Sequence, residues 1–188
     1  EPSSITTYGT SYLRQFGYLV STQEEKYLDH PNIINWQAGM PWFYGRSASL
    51  KKFVQYDDLI NANIPTKSDC FSTVCSSKKQ MHTLHKARLK FTQNLKCEVP
   101  ELEIFGRGHR EIEDKAEALD RYKYHLVIEN HKAPNHWTEK LSDAYLGFCL
   151  PFYHGCPNVA EYFPEQSFIP IDIYKPDEAK KIIMDSIA

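Results

Sequence analysis

From Phe71 to the C-terminus, short apolar runs alternate with stretches whose apolar residues recur every three or four positions. That rhythm restricts the fold to strands separated by helices. Phe71–Ser76 suits a buried strand, and Leu84, Arg88, Phe91 and Leu95 then fall on one helical face. Leu102-Glu103-Ile104-Phe105-Gly106 reads as a strand ending in a glycine loop, Glu113–Tyr122 as a helix and His125–Ile128 as the next strand. Thr138 is placed to cap a helix carrying Leu141, Ala144 and Tyr145, followed by a strand over Cys149–Tyr153. Asn158–Phe163, Phe168–Ile171 and Glu178–Ile187 complete the series as short helix, strand and terminal helix. The expected architecture is α/β, a Rossmann-like, doubly wound and mainly parallel sheet with helices on both faces. The first fifty residues differ: they are rich in aromatics, show no strong helix, and offer a short strand over Phe16–Val20 and an irregular loop over Met40–Gly45.

The 188 residues suffice for one ordinary globular domain with a smaller appendage. Lys and Arg number 22 against 24 Asp and Glu, and no basic stripe follows any expected element, so a nucleic-acid partner is set aside. The apolar runs are too short for a membrane span, and no signal peptide is evident. Five cysteines without a C-x-x-C pair argue against a disulfide framework or a zinc knuckle and for free buried thiols. With no N-x-S/T acceptor present, a reducing cytoplasm fits best. The start at Glu1 suggests a fragment or a processed form.

In parallel sheets of this type, ligands bind beyond the carboxyl ends of the strands, which directs attention to the loops after Ser76, Ile128 and Tyr153. The second of these, Glu129 to Leu141, brings acid, amide and base to a helix start. Unpaired N–H groups and a positive dipole end favour a diphosphate there, and Lys140 adds a point charge. Glu139 would repel phosphate and is better suited to accept hydrogen bonds from ribose or sugar hydroxyls. The same Thr138-Glu139-Lys140 run also reads simply as an N-cap, a dipole-favoured acid and a solvated lysine.

Glu129-Asn130 followed by Thr138-Glu139-Lys140 resembles the E-N-S…Y-V-T-E-K signature of the family 10 glycosyltransferases, the α-1,3-fucosyltransferase family. Gly147–Gly155 is similar to the family's G-x-x-P-V-x-x-G element, and Glu161–Pro164 with Ser167–Ile169 to its F-x-P-x-S-F-I continuation. Upstream, Val74–Ser77 with Arg88-x-x-Phe91-x-x-x-Leu95 resembles V-x-S-N…R-x-x-[FY]-x-x-x-L, and Ile104–Gly108 resembles V-D-x-Y-G-x-G. These five segments occur in order over residues 71–172. The family's tyrosine two residues before the threonine is His136 here, and the asparagine of its S-N pair is Ser77.

The resemblance implies the C-terminal domain of a GT-B type glycosyltransferase. Residues 51–188 would bind the GDP-sugar, and residues 1–50 would be a remnant of the N-terminal acceptor domain and its linker. It implies an inverting, metal-independent transfer of fucose from GDP-fucose to a glycan hydroxyl. Arg88 and Lys140 would hold the diphosphate, Glu139 ribose or sugar hydroxyls, and Asn130 the nucleotide end. His136 stands where a donor-binding tyrosine is usual and could donate a hydrogen bond, or add charge in acid. Glu1, at the end of an E-S-P-like segment, is the candidate catalytic base. No cofactor is implied. The cellular expectation is cytoplasmic or peripheral to the inner membrane, through regions outside this sequence. A non-catalytic module of the same fold, or a transferase using another sugar nucleotide, are the alternatives. His125, His131, His136 and His154 match no zinc spacing, no D-x-D follows an expected strand, and Gly106-x-Gly108 is too short for a dinucleotide fingerprint.

Overall fold

A computed structural model describes residues 6–37, 42–47, 49, 51–78 and 83–188. Elements run α1 (Thr10–Leu13), β1 (Leu19–Ser21), β2 (Ile33–Asn35), β3 (Arg46–Ser47), β4 (Lys52–Phe53), α2 (Tyr56–Ile60), β5 (Asp69–Val74), α3 (His85–Glu98) and β6 (Leu102–Phe105). They continue with β7 (Tyr122–Ile128), α4 (Glu139–Leu146), β8 (Leu150–His154), β9 (Ile169–Pro170) and α5 (Pro176–Ile187). β1 and β2 pair in parallel and β3 and β4 antiparallel, as two small ribbons. β5 to β9 form the main sheet in the order β6-β5-β7-β8-β9, every neighbouring pair parallel.

The alternation along β7 explains why both faces of this sheet are covered. Leu126 and Ile128 pack into one core with Phe71, Phe152, Phe91 and Leu95 of α3 and Ala179 and Ile183 of α5. Val127, between them, points to a second core with Phe105, Tyr153 and Leu141 and Ala144 of α4. A period of two on the strand thus meets helical stripes on both sides, which is the doubly wound arrangement. The chain steps from β5 outward to β6 and then returns to lay β7 on β5's other side, so the strand order reverses between β5 and β7. Such a reversal leaves a crevice beyond the strand ends.

Several expectations shift: the strand expected over Phe16–Val20 is Leu19–Ser21, and the short helix expected over Asn158–Phe163 is a 3-10 turn at Val159–Glu161. The helix expected over Glu113–Tyr122 is reduced to a 3-10 turn at Lys115–Ala118. Asp114 caps it by accepting from Ala116 N, Glu117 reciprocates, and Tyr122 already belongs to β7 in register with Asp69. The first strand of the sheet lies two residues earlier than Phe71–Ser76, which frees Cys75 to Lys78 as loop. The cysteines are all free, but Cys97 on α3 is exposed and Cys70 on β5 only half-buried. Met40 and Pro41 of the aromatic loop lie outside the described residues. No helix among the described residues is long and apolar enough to cross a membrane.

The segment before the sheet is fastened to it by carboxylates. Asp143 Oδ1 accepts from Phe43 N (2.7 Å) and Tyr44 N (2.9 Å), Asp114 Oδ1 from Gly45 N (2.9 Å), and Asp120 Oδ1 from the Tyr44 hydroxyl (2.8 Å).

Candidate functional site

A cavity of about 230 Å³ opens at the β5/β7 reversal. Its floor is made by the ends of the two strands, Thr73 and Val74 against His125 to Ile128. Its walls carry Ser76 and Lys78 from the loop after β5, His85 and Arg88 from α3, Asn130, and Glu139, Lys140 and Asp143 from α4. Lys115 from the 3-10 turn completes it. Lys78, Arg88, Lys115 and Lys140 face Glu139 and Asp143 there, so the cavity is cationic in a chain whose net charge is −2.

Arg88 is only 6% exposed. Its Nη1 donates to Asn130 Oδ1 at 2.7 Å, while its buried Nε has no partner among the described residues. A buried unpaired donor of a charged group is costly, and an anion entering the cavity is the partner that would relieve it. Asn130 is itself held by its backbone oxygen, which accepts from Leu84 N at 2.9 Å just before α3. The strand end and the helix start are thereby fixed together.

The wall from α4 rests on a buried carboxylate. Glu129 is fully buried and accepts from Thr138 N (2.9 Å) and the Thr138 hydroxyl (2.6 Å). Lys140 Nζ lies 3.4 Å from Glu129 Oε2, 3.0 Å from Glu139 Oε1 and 3.0 Å from Thr138 Oγ1. Burial pushes the Glu129 carboxyl up, against the pull of Lys140 and the two Thr138 hydrogen bonds. Burial acts upward on Glu139 too, but the Lys140 and Lys115 ammonium groups, with hydrogen bonds from Lys140 and Thr138, leave it below the usual carboxylate range. Glu139 is therefore an anionic acceptor, fit for hydroxyl donors. Thr138 is the N-cap foreseen, its oxygen accepting from Lys140 N at 3.4 Å.

Of the residues singled out from sequence, Arg88, Asn130, Glu139 and Lys140 share this one cavity. His136 is not among its walls: its ring lies edge-on to His131 at 5.6 Å. Burial and then His131 push it down to about 4, so it stays neutral in all but strong acid. Glu1 lies outside the described residues. The loop after β8 lines a different cavity, of about 510 Å³, with His154, Cys156 and Phe168. No group of three His, Cys, Asp or Glu side chains able to hold a metal ion occurs among the described residues.

Several lining residues gave no warning in the sequence. Lys115 pairs with Asp143 at 2.6 Å, a contact between the 3-10 turn and α4 that spacing alone does not reveal. His125 sits beneath the cavity with Ser72. Because the Ser72 hydroxyl donates to Ala118 O (2.6 Å), it accepts from His125 Nδ1 (2.8 Å), leaving Nε2 as an acceptor.

Burial, with smaller contributions from Lys115 and Lys67, holds His125 down at about 3. An unfolded imidazole titrates near 6.5, so this depressed group adds stability that is complete above that pH and is lost as pH falls toward 3. Acidifying from about pH 7 to about pH 5.5 is expected to remove about 1 kcal/mol through His125 alone. Urea unfolding at both pH values checks this, with His125→Gln showing the smaller loss. Equal losses in both proteins would contradict it.

The sequence over residues 64–184 matches the family described as glycosyltransferase family 10 (fucosyltransferase) C-term. The chain is 39% identical over 64 residues to alpha-(1,3)-fucosyltransferase FucT of Helicobacter pylori, covering 34% of this chain and 13% of that protein. It is 29% identical over 96 residues to the human 4-galactosyl-N-acetylglucosaminide 3-alpha-L-fucosyltransferase FUT6, covering 48% of this chain and 26% of the relative. A crystal structure of an alpha1,3-fucosyltransferase with GDP-fucose superposes with a TM-score of 0.54 at 30% identity, covering 63% of this chain and 35% of that one. Another, with GDP, covers 99% of this chain and 64% of that one with a TM-score of 0.58; at 18% identity it supports the fold. The chain thus spans only a minor part of the curated relatives it matches. With its strand reversal, its cationic cavity and a family match over most of its length, the chain belongs to glycosyltransferase family 10, the fucosyltransferases, through that family's C-terminal domain.

Proposed function

We propose that this chain is the donor-binding side of an inverting fucosyltransferase that takes GDP-fucose and delivers fucose to a glycan hydroxyl without a metal ion. The observation that carries this reading is the convergence of Arg88 and Lys140, from two helices on opposite faces of the sheet, on one cavity at the strand reversal. Both cations are fixed before any ligand arrives, Arg88 by Asn130 and Lys140 by Thr138 and Glu139. Fixed cations in a recessed cleft offset the charge that grows on a departing diphosphate with little reorganisation. That is the work a divalent ion performs in other nucleotide-sugar enzymes, and here side chains supply it. Glu139 faces hydroxyls of ribose or sugar, and Asn130 orients the nucleotide end. The acceptor hydroxyl attacks the anomeric carbon, a carboxylate takes its proton, and GDP leaves; the resemblance assigns the carboxylate to Glu1. A similar protein crystallised with GDP-fucose supports the choice of donor.

Calorimetry with GDP, GDP-fucose and UDP tests this reading. GDP and GDP-fucose are expected to bind, and UDP to bind at least about tenfold more weakly, a difference of about 1.4 kcal/mol. Equal affinity for UDP would move the reading to another sugar nucleotide, and no binding of any of the three would overturn it.

A further inference from the structure

Building on the reading of the cavity as a GDP-fucose site, we propose that His85 is an additional diphosphate-binding residue, one that takes up a proton as the donor enters and releases it when the nucleotide leaves. His85 opens α3 one turn before Arg88 and lines the same cavity. Residues three apart on a helix share a face, so the imidazole and the guanidinium look toward the same ligand. The residue is only 8% exposed, its Nδ1 is engaged by the Thr83 hydroxyl, and its Nε2 makes no hydrogen bond among the described residues.

The electrostatics supply the switch. Burial first, then the charges of Arg88, Lys140 and Lys78, press the His85 imidazole below its usual range. A diphosphate placed among those cations cancels their repulsion and adds attraction, so the balance at His85 reverses on binding. The other titratable groups around it are Glu139, Asp143 and His125, with the buried Glu129 behind Lys140. Glu139 is held as a carboxylate by Lys140 and Lys115, Asp143 is paired with Lys115, and His125 is bonded to Ser72 and stays near 3. Linkage fixes the sign: affinity rises as pH falls through the bound-state value of His85 and levels off below the free-state value.

GDP-fucose is the probe, because its diphosphate is esterified at both ends and has no ionisation of its own near neutrality. Calorimetry in two buffers of different ionisation enthalpy reads affinity and proton uptake together. Between about pH 8 and about pH 6 the chain is expected to gain about three- to tenfold in affinity, below the ceiling of tenfold per pH unit for one coupled proton, with a mean uptake over that range of about a quarter to half a proton. His85→Gln should lose both the gain and the uptake. NMR of the His85 ring in the unaltered chain provides a second reading, with its titration moving to higher pH when GDP-fucose is added. Wild-type pH dependence persisting in His85→Gln, or a ring titration that ligand does not move, would overturn the assignment to His85 while leaving the donor site intact. No binding of GDP-fucose at either pH would overturn the donor site, and this inference with it.

Discussion

Replacing Arg88 with alanine is expected to weaken GDP binding by about 1.5–3 kcal/mol, about ten- to a hundredfold, the size of a lost charge-assisted hydrogen bond. The guanidinium is almost wholly buried, so little solvent screens what it offers a ligand. It has one Nη1 committed to Asn130 and an Nε with no partner among the described residues, which leaves donors ready for phosphate oxygens. Arg88→Lys should recover only part of the loss, because an ammonium keeps the charge without the planar fork that serves Asn130 and phosphate at once. Lys140→Ala is expected to fall in the same range, since its ammonium is the second fixed cation of the cavity. Calorimetry on folded variants reads these values. Unchanged GDP affinity in both alanine variants would remove the two cations from the donor site.

Removing the carboxylate of Glu129 should cost the fold rather than only the ligand, by about 3 kcal/mol in unfolding free energy. Glu129→Ala strips partners from two Thr138 donors and from Lys140, all at the start of α4, and leaves a hole beneath them. For a chain of this size the melting temperature should fall by about 6–12 °C. Glu129→Gln should lose less, because one oxygen still accepts from Thr138 while its NH2 meets a donor. Lys140→Ala links the two experiments through pH: without the ammonium the buried Glu129 carboxyl rises further, so ionised Glu129 becomes a burden. That variant should therefore lose more stability as pH rises from acid toward neutrality. Denaturant unfolding at several pH values measures both effects. Full wild-type stability in Glu129→Ala would show that α4 does not depend on this pin.

The parts of the fold that were legible in the sequence are those in which a single period holds for long enough. Leu84, Arg88, Phe91 and Leu95 keep helical spacing, and all but Leu84, which immediately precedes it, lie in α3; His125 to Ile128 fall within β7. Glu113–Tyr122 was misread because Ala116, Ala118 and Leu119 suit a helix by composition, whereas Asp114 caps only one tight turn before β7 starts. The motif residues after β7 pointed to a helix N-terminus with Thr138 as cap, and that is where α4 begins.

What spacing could not reveal was which strands would become neighbours. Arg88 and Lys140 meet only because β7 returns beside β5, a consequence of sheet order and not of any local pattern. Lys115 and Asp143 escaped notice for the same reason. Glu129 was quoted as part of a motif, yet its burial under Thr138 is a tertiary fact. His85 stands three positions before Arg88 on the same helix, a spacing that the motif residues alone did not single out.

A structure of the chain bound to GDP would locate the diphosphate. The diphosphate is expected at the β5/β7 reversal, its oxygens within hydrogen-bonding distance of both Arg88 and Lys140. A nucleotide seated in the cavity beside His154 and Phe168, or one whose phosphates touch neither cation, would contradict it.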